Sequence, residues 1–271
     1  MRLVTFPFVK GHGTRNDFVV LPDLEAVVHG DLEPDLVRRL CDRRSGIGAD
    51  GVLRVVRGDL DGGAAWFMDY RNADGGVSEI CGNGIRVFAR YLVEADLADV
   101  AKPLTVDTRD GVKEIVFCDD GEISVDMGEP AVGPRVWIGV DGRAFEATAV
   151  DMGNPHAVVF VGSLDAAGAL QRSPRYIAED FPGGVNVEFV MRQGDHTLGM
   201  RVFERGVGET QSCGTGACAA VVAAEIESGH RSHVAHRVVV TGGTLTVTWE
   251  QSDHVHLKGP AELVAKGTWT A

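Results

Sequence analysis

An internal repeat restricts the possible folds of this chain more than any other feature of its sequence. At a shift of 132 residues, the separation of Cys81 and Cys213, a segment of 28 residues beginning at Met68 aligns without gaps with one beginning at Met200. Both copies carry the motif Cys-Gly-x-Gly. A repeat of this length predicts two related halves, each built around one copy.

Each copy predicts the same local structure. An alternating stretch, WFMDYR in the first copy and LGMRVFE in the second, predicts a strand, which a glycine-rich loop follows. A segment free of Gly and Pro then predicts a helix, with Ile85, Phe88, Leu92 and Ala95 at helical spacing in the first copy. In the second copy residues 217–224 are apolar all round, which indicates a helix buried on every side. Both cysteines are therefore expected at the start of a buried helix.

Strand signals fill most of the remaining chain. They are DFVVL, DGVLRVV, LTVDT, EIVF, EISVDM, HAVVFV, VNVEFV, HRVVVTGGTLTVTWE with a Gly-Gly hairpin turn, and HVHLKG. This pattern predicts an α+β fold, in which strand-rich lobes surround one central helix. The stretch MGEPAVGPR suggests a boundary that gives lobes 1–129 and 130–259, and leaves open that residues 260–271 return to the first lobe.

Composition excludes several classes of partner. The net charge of −13 argues against nucleic acid and against anionic membrane surfaces, because both require clustered Lys and Arg. Pro7 and Lys10 interrupt the first apolar run too early for a signal peptide, and the run at 217–224 is far shorter than a membrane span. Five widely spaced cysteines fit free thiols in a reducing compartment. We therefore expect a cytoplasmic protein.

The two motif cysteines are candidates for thiol chemistry. A helix N-terminus offers unpaired N–H groups and a positive dipole end, so it can bind a carboxylate and lower the pKa of a nearby thiol. Either cysteine alone also fits a buried, inert side chain, but two related by a repeat suggest a pair that faces one ligand across a cleft. Neither motif has paired-ligand spacing for a metal. Cys41, Cys118 and Cys218 are interpreted as structural.

Five segments together resemble one known family. They are ERGVGETQSCGTGACA, NADGGVSEICGNGIRVFARY, DMGNPHAVVF, GHGTRNDFVVL and RRSGIGADGVL, which span nearly the whole length of the chain. They closely resemble the diaminopimelate epimerase family. The resemblance implies an epimerase that needs no cofactor, with two pseudo-symmetric lobes, each a mostly antiparallel sheet wrapped around a central buried helix. It also implies an active site in the cleft between the lobes and a homodimeric assembly. It also implies the substrate, LL-2,6-diaminopimelate, which is interconverted with the meso form on the route to lysine and peptidoglycan.

The resemblance assigns complementary roles to the two thiols. Inversion of a carbon by proton transfer needs a base on one face and an acid on the other, and the roles exchange in the reverse reaction. By resemblance, Cys81 removes the α-proton of the LL isomer and Cys213 that of the meso isomer. The developing charge spreads into the α-carboxylate, where amides of the two helix starts are expected to stabilise it. These amides belong to Gly82, Asn83, Gly214 and Thr215.

Further substrate-binding residues follow from the same resemblance. They are Asn16, Asn72, Asn154, Asn186, Glu204 and Arg205, together with His156, which matches a family histidine near the reacting carbon. Arg205 suits a bidentate carboxylate contact, and Glu204 can bind an ammonium group. Taken alone, these motifs fit turn asparagines, a surface ion pair and a structural histidine better than they fit functional residues.

The sequence departs from the family pattern at two places and leaves two other functions open. Thr14 and Arg15 lengthen a loop, and Gly51 stands where other members carry a side chain. One alternative is an amino-acid racemase of the same fold, similar to proline racemase, although Glu204 and Arg205 favour a substrate with a second zwitterionic end. The other is a noncatalytic amino-acid-binding protein, which would have no need of either thiol.

Overall fold

The repeat in the sequence becomes a repeat of strand order in the structure. The computed structural model describes residues 5–59 and 63–270, which form seventeen strands and three α-helices. Contacts between residues divide the chain into one unit of residues 1–125 with 260–271 and a second unit of residues 126–259. The lobe boundary expected between residues 129 and 130 remains a prediction.

The first unit is a twisted sheet of eight strands around one helix. Its strands are β1 (Thr5–Gly13), β2 (Asn16–Pro22), β3 (Gly51–Arg57), β4 (Trp66–Asn72), β5 (Leu104–Thr108), β6 (Gly111–Phe117), β7 (Ile123–Asp126) and β17 (Glu262–Thr270). They pair in the order β17-β1-β2-β3-β4-β5-β6-β7. Only the β2–β3 and β4–β5 pairs are parallel. The last strand of the chain therefore completes the sheet that the first strand begins.

The second unit repeats this order. Its strands are β8 (Ala131–Val140), β9 (Arg143–Asp151), β10 (Pro155–Phe160), β11 (Asn186–Gly194), β12 (Thr197–Glu204), β13 (Gly208–Thr210), β14 (His236–Val240), β15 (Gly243–Trp249) and β16 (Val255–Gly259). The order β8-β9-β10-β11-β12-β14-β15-β16 again contains two parallel pairs, β10–β11 and β12–β14, and β13 adds a short hairpin to β12. The predicted α+β class with two related sheets is confirmed.

The helices are α1 (Pro34–Cys41), α2 (Gly82–Glu94) and α3 (Gly214–Ser228). In α2 the side chains of Ile85, Phe88 and Leu92 are fully buried, and in α3 every residue of 217–224 is at most 1% exposed. Both helices are buried as their sequences predict, since their sheets wrap around them. Helix α1 was not predicted; it begins at Pro34, which fits the first turn because that position needs no N–H partner. No helix in the described ranges is long and apolar enough to cross a membrane.

The structure gives physical reasons for the two departures from the family pattern. Thr14 and Arg15 form the two-residue turn between β1 and β2 with φ values of 49° and 62°, as a tight hairpin requires. Thr14 is buried, and its hydroxyl lies 3.4 Å from Asn83 Oδ1. At Gly51 a Cβ atom would lie 2.7 Å from the ring of Tyr70. Glycine is therefore required there by packing.

Candidate active site

The two motif cysteines begin their helices with the same geometry. Cys81 (φ −139°, ψ 115°) precedes α2, and Cys213 (φ −128°, ψ 120°) precedes α3. The Gly84 N–H donates to Cys81 Sγ at 3.3 Å, and the Gly216 N–H donates to Cys213 Sγ at 3.4 Å. Each sulfur thus takes the place of the oxygen that usually caps a helix N-terminus. The prediction that both cysteines stand at helix starts is confirmed.

In the first unit, Asn16 contacts the thiol of Cys81, and Asn83 contacts Asn16. Asn16 Oδ1 lies 3.7 Å from Cys81 Sγ and accepts a hydrogen bond from Asn83 Nδ2 at 3.2 Å. Asn16 Nδ2 donates to Asp50 Oδ2 at 2.8 Å, which fixes the direction of the amide. The carbonyl oxygen of Asn16 therefore points to the sulfur, where it can accept the thiol proton.

A buried arginine holds the first turn of α2. Arg86 is fully buried and donates to Gly82 O at 2.9 Å, to Asn83 Oδ1 at 2.8 Å and to Pro260 O at 3.4 Å. Sequence reasoning missed Arg86 and Asp50. The available signal was an arginine two residues after the Cys-Gly-x-Gly motif, between the apolar Ile85 and Val87.

Other predicted residues occupy equivalent places in the two units. Asn16 begins β2, and Asn154 immediately precedes β10, the strand with the same place in the second sheet. Asn72 is the last residue of β4, and Glu204 is the last residue of β12. Asn72 Oδ1 accepts a hydrogen bond from the hydroxyl of Tyr70 at 2.7 Å. The repeat thus relates the supporting residues as well as the cysteines.

A buried histidine lies on β10 in the second unit. His156 Nε2 is 2.9 Å from Asn154 Oδ1, and its Nδ1 is 2.7 Å from Glu188 Oε1. The side chains of His156 and Glu188 are both fully buried. The sequence indicated His156 and Asn154 but not Glu188. The available signal for Glu188 was a carboxylate within the mostly apolar strand VNVEFV, two residues after the predicted Asn186.

Asn186 and Arg205 are linked through the backbone. Asn186 Oδ1 accepts a hydrogen bond from the Arg205 N–H at 3.0 Å, and Asn186 Nδ2 donates to Pro155 O at 3.1 Å. The exposed Arg205 guanidinium donates to Gly183 O at 2.9 Å. Asn186 therefore fixes the end of β12, from which Arg205 extends into solvent.

The environment of Cys213 raises the pKa of its thiol well above the ordinary value. Burial is the largest cause, followed by the negative charges of Glu204 and Glu188, while the Thr215 hydroxyl and the Gly216 N–H lower the pKa. The expectation that a helix start lowers the thiol pKa is therefore wrong for Cys213, because burial and two carboxylates outweigh the helix N-terminus. Cys213 is a protonated thiol at neutral pH, which suits a proton donor.

These residues form two groups with similar chemistry, one in each unit. Each group places a thiol at a helix N-terminus, where first-turn N–H groups can bind an anionic oxygen. Within residues 5–59 and 63–270, no three His, Cys, Asp or Glu side chains are placed to hold a metal ion.

Comparison with solved structures identifies the fold. A hydroxyproline epimerase from Agrobacterium vitis has a TM-score of 0.72 at 16% sequence identity, covering 98% of this chain and 93% of that chain. A PhzF-family phenazine biosynthesis protein from Bacillus anthracis has a TM-score of 0.71 at 17% identity, covering 98% and 99%. The chain therefore has the two-unit α+β fold of these proteins.

Sequence comparison identifies the family. The family model for diaminopimelate epimerase matches residues 8–132 and 148–264. The diaminopimelate epimerase of Streptomyces coelicolor is 47% identical over 96% of this chain and 94% of its own length, and that of Thermobifida fusca is 47% identical over 96% of both. The enzyme of the same name from Corynebacterium glutamicum is 44% identical over 97% and 98%. The chain belongs to the diaminopimelate epimerase family, and the resemblance seen in its motifs is confirmed.

Proposed function

We propose that this protein catalyses the epimerisation of LL-2,6-diaminopimelate to meso-diaminopimelate without a cofactor, as a step toward lysine and peptidoglycan. Membership of the family supports the choice of substrate. The observation that carries the mechanism is the sulfur-capped helix start, which occurs once in each repeated unit with nearly the same geometry. Two matched thiols supply the acid and the base that inversion of one carbon requires.

In the proposed reaction, the thiolate of Cys81 removes the α-proton of the LL isomer. The electron pair of the broken C–H bond spreads into the α-carboxylate, and the thiol of Cys213 donates its proton to the opposite face. Cys81 ends as the thiol and Cys213 as the thiolate, so the same pair catalyses the reverse reaction. The raised pKa of Cys213 supports its role as the acid in the forward direction.

The two helix starts are proposed to stabilise the intermediate. The first N–H groups of an α-helix have no partner within the helix, and together with the helix dipole they favour a negative charge. The first-turn amides of Gly82 and Asn83 in α2, and of Gly214 and Thr215 in α3, carry this role. Donors fixed before the reaction stabilise the developing charge without reorganisation.

The remaining predicted residues are proposed to bind the ends of the substrate. Asn16, Asn72, Asn154 and Asn186 present amide groups, and His156 lies beside the reacting carbon. Glu204 and Arg205 bind an ammonium and a carboxylate group, respectively. Support comes from their place at or next to the ends of strands β2, β4, β10, β11 and β12.

Turnover in D₂O tests the proposal. Wild-type protein under reducing conditions should convert LL-diaminopimelate to the meso isomer and place deuterium at the α-carbon of the product. Cys81→Ala and Cys213→Ala should each lose epimerisation. Any exchange that Cys213→Ala retains should label the LL isomer with retention, because Cys81 returns a solvent deuteron to the same face.

Cys118→Ala provides a matched control, because Cys118 is partly exposed and belongs to neither motif. It should epimerise at the wild-type rate. Full-rate epimerisation by Cys81→Ala or Cys213→Ala would refute the two-thiol mechanism. Absence of meso product from wild-type protein would refute the proposed activity itself.

We also propose a homodimer that acts in the cytoplasm, with lobes 1–129 plus 260–271 and 130–259. The family resemblance supports the dimer, and five free cysteines support a reducing compartment. Light scattering coupled to size-exclusion chromatography tests the assembly. A single species at the mass of one 28.9 kDa chain would contradict it.

A further inference from the structure

Glu188 is a fully buried carboxylate that the proposed reaction does not yet use. Its Oε1 lies 2.7 Å from His156 Nδ1, and its Oε2 is buried without a hydrogen-bond partner among the described residues. An unpaired buried carboxylate oxygen costs free energy, because it loses its contact with water. The burial of this oxygen at such a cost indicates that Glu188 has a function.

The strand geometry directs Glu188 toward α3. Val187 and Phe189 belong to a hydrophobic cluster of the second unit, and side chains alternate along a strand, so Glu188 faces the other side. A Cβ atom on Gly216 would lie 2.6 Å from Glu188 Oε1. Since the Gly216 N–H donates to Cys213 Sγ, the carboxylate lies against the turn that the sulfur caps.

Two hydrogen bonds hold the ring of His156 in place. Its Nε2 lies 2.9 Å from Asn154 Oδ1, and its Nδ1 lies 2.7 Å from Glu188 Oε1. The titratable groups around Cys213 are therefore Glu188 on β11, Glu204 at the end of β12 and, in contact with Glu188, His156 on β10.

We propose that Glu188 is a positioning residue, which fixes the ring of His156 through Oε1 and holds Cys213 in its protonated, proton-donating form through its negative charge. The effect on turnover rests on the proposed epimerase function. The effect on the thiol does not, because it is a property of the protein without substrate.

The rate of Cys213 alkylation by iodoacetamide as a function of pH tests the proposal. Only the thiolate reacts, and tandem mass spectrometry of the peptide that contains Cys213 and Cys218 locates the label, because fragment ions that break between the two residues distinguish them. Glu188→Gln keeps the size of the side chain and removes the charge. Its Cys213 profile should move to lower pH, with an alkylation rate about threefold or more above wild type at pH values below the midpoint.

Glu227→Gln is the matched control. Glu227 is in the same helix, near its C-terminal end, where it pairs with Arg135 at 2.9 Å. This variant loses the same charge and should keep the wild-type Cys213 profile. An unchanged Cys213 profile in Glu188→Gln, whatever its Tm, would overturn the proposal.

Glu188→Asp provides a second test of the proposed role of Glu188, which can be carried out even if Glu188→Gln does not fold. It keeps the charge but shortens the side chain, so the Cys213 profile should stay near that of wild type while the His156 contact weakens. The ¹⁵N chemical shift of His156 Nδ1 should differ between wild type and Glu188→Asp, because the shorter side chain weakens the hydrogen bond at Nδ1. An unchanged Nδ1 shift in Glu188→Asp would refute the proposed link to His156.

The outcomes separate this inference from the proposed function. If the alkylation profile shifts but wild-type protein does not epimerise LL-diaminopimelate, the role of Glu188 stands and the substrate assignment fails. If wild type epimerises and the profile does not shift, the substrate assignment stands and the role of Glu188 fails.

Discussion

Replacement of Gly216 by Ala tests how closely Glu188 packs against the first turn of α3. The added Cβ would lie 2.6 Å from Oε1 and 3.2 Å from both Cδ and Cγ of Glu188. All three atoms belong to one fully buried side chain, which His156 holds at 2.7 Å. Glu188 therefore cannot move aside without losing that hydrogen bond.

The expected magnitude follows from two opposing effects. Alanine in place of glycine within a helix stabilises the folded state by about 0.5–1 kcal/mol. Overpacking a well-packed site costs about 1–3 kcal/mol, and loss of a partner by a buried charged group costs about 1–3 kcal/mol more. The unfolding free energy should fall by about 1–5 kcal/mol, and Tm by about 2–4 °C for each kcal/mol.

Gly84→Ala is the internal control, because Gly84 has the same place in α2. Its added Cβ would lie 3.2 Å from Leu53 Cδ2 and 3.3 Å from Cys81 Cβ. The methyl group at the end of Leu53 can shift by a few tenths of an ångström, so the two effects should nearly cancel. Thermal unfolding followed by circular dichroism compares the variants. A Gly216→Ala protein as stable as wild type, or a Gly84→Ala protein that is equally destabilised, would refute this reasoning.

Two further predictions concern the first unit. Burial acts to raise the pKa of Asp17, but hydrogen bonds from Arg43 and Lys10 outweigh it and lower the pKa to about 2. The Asp17 carboxylate therefore stabilises the folded state fully above about pH 4, which is its pKa in the unfolded chain. This contribution is lost as the pH falls through about 2. Asp17→Asn should therefore show a smaller fall in Tm between pH 4 and pH 2 than wild type, and an equal fall would contradict the assignment. Arg86→Lys should lower the unfolding free energy by about 1–3 kcal/mol, because a single ammonium cannot reproduce the planar set of donors that reaches three acceptors. Urea unfolding followed by tryptophan fluorescence measures this loss, and wild-type stability would exclude it.

The parts of the fold that depend on local sequence could be predicted. The start of each helix at Cys81 and Cys213 follows from a cap and two glycines within four residues. The burial of α3 follows from an apolar run that leaves no polar face. Strands β5, β7 and β16 alternate between buried and half-buried residues, whereas the central strands β2, β3, β10 and β11 are mostly apolar runs that are buried almost throughout.

Two of the elements that the sequence did not reveal, strands β8 and β17, bury little of their surface. Strands β8 and β17 lie at the edges of their sheets, and most of their residues are exposed or half-buried, so they show no clear alternation. The supporting residues of the site were hidden for another reason. Glu188 contacts a histidine 32 residues away, and Arg86 reaches a carbonyl 174 residues away. Only the folded chain brings such partners together.

The return of β17 to the first sheet sets an order for folding during synthesis. Thr270 pairs with Thr5, so the first sheet lacks its edge strand until nearly the whole chain has left the ribosome. The second unit has all its strands once residue 259 has emerged. During synthesis the N-terminal domain of a protein usually folds first. In this protein the second unit can complete its sheet before the first unit does. A circular permutant opened between residues 259 and 260, with the old termini joined, would make each unit one continuous segment and restore the usual order.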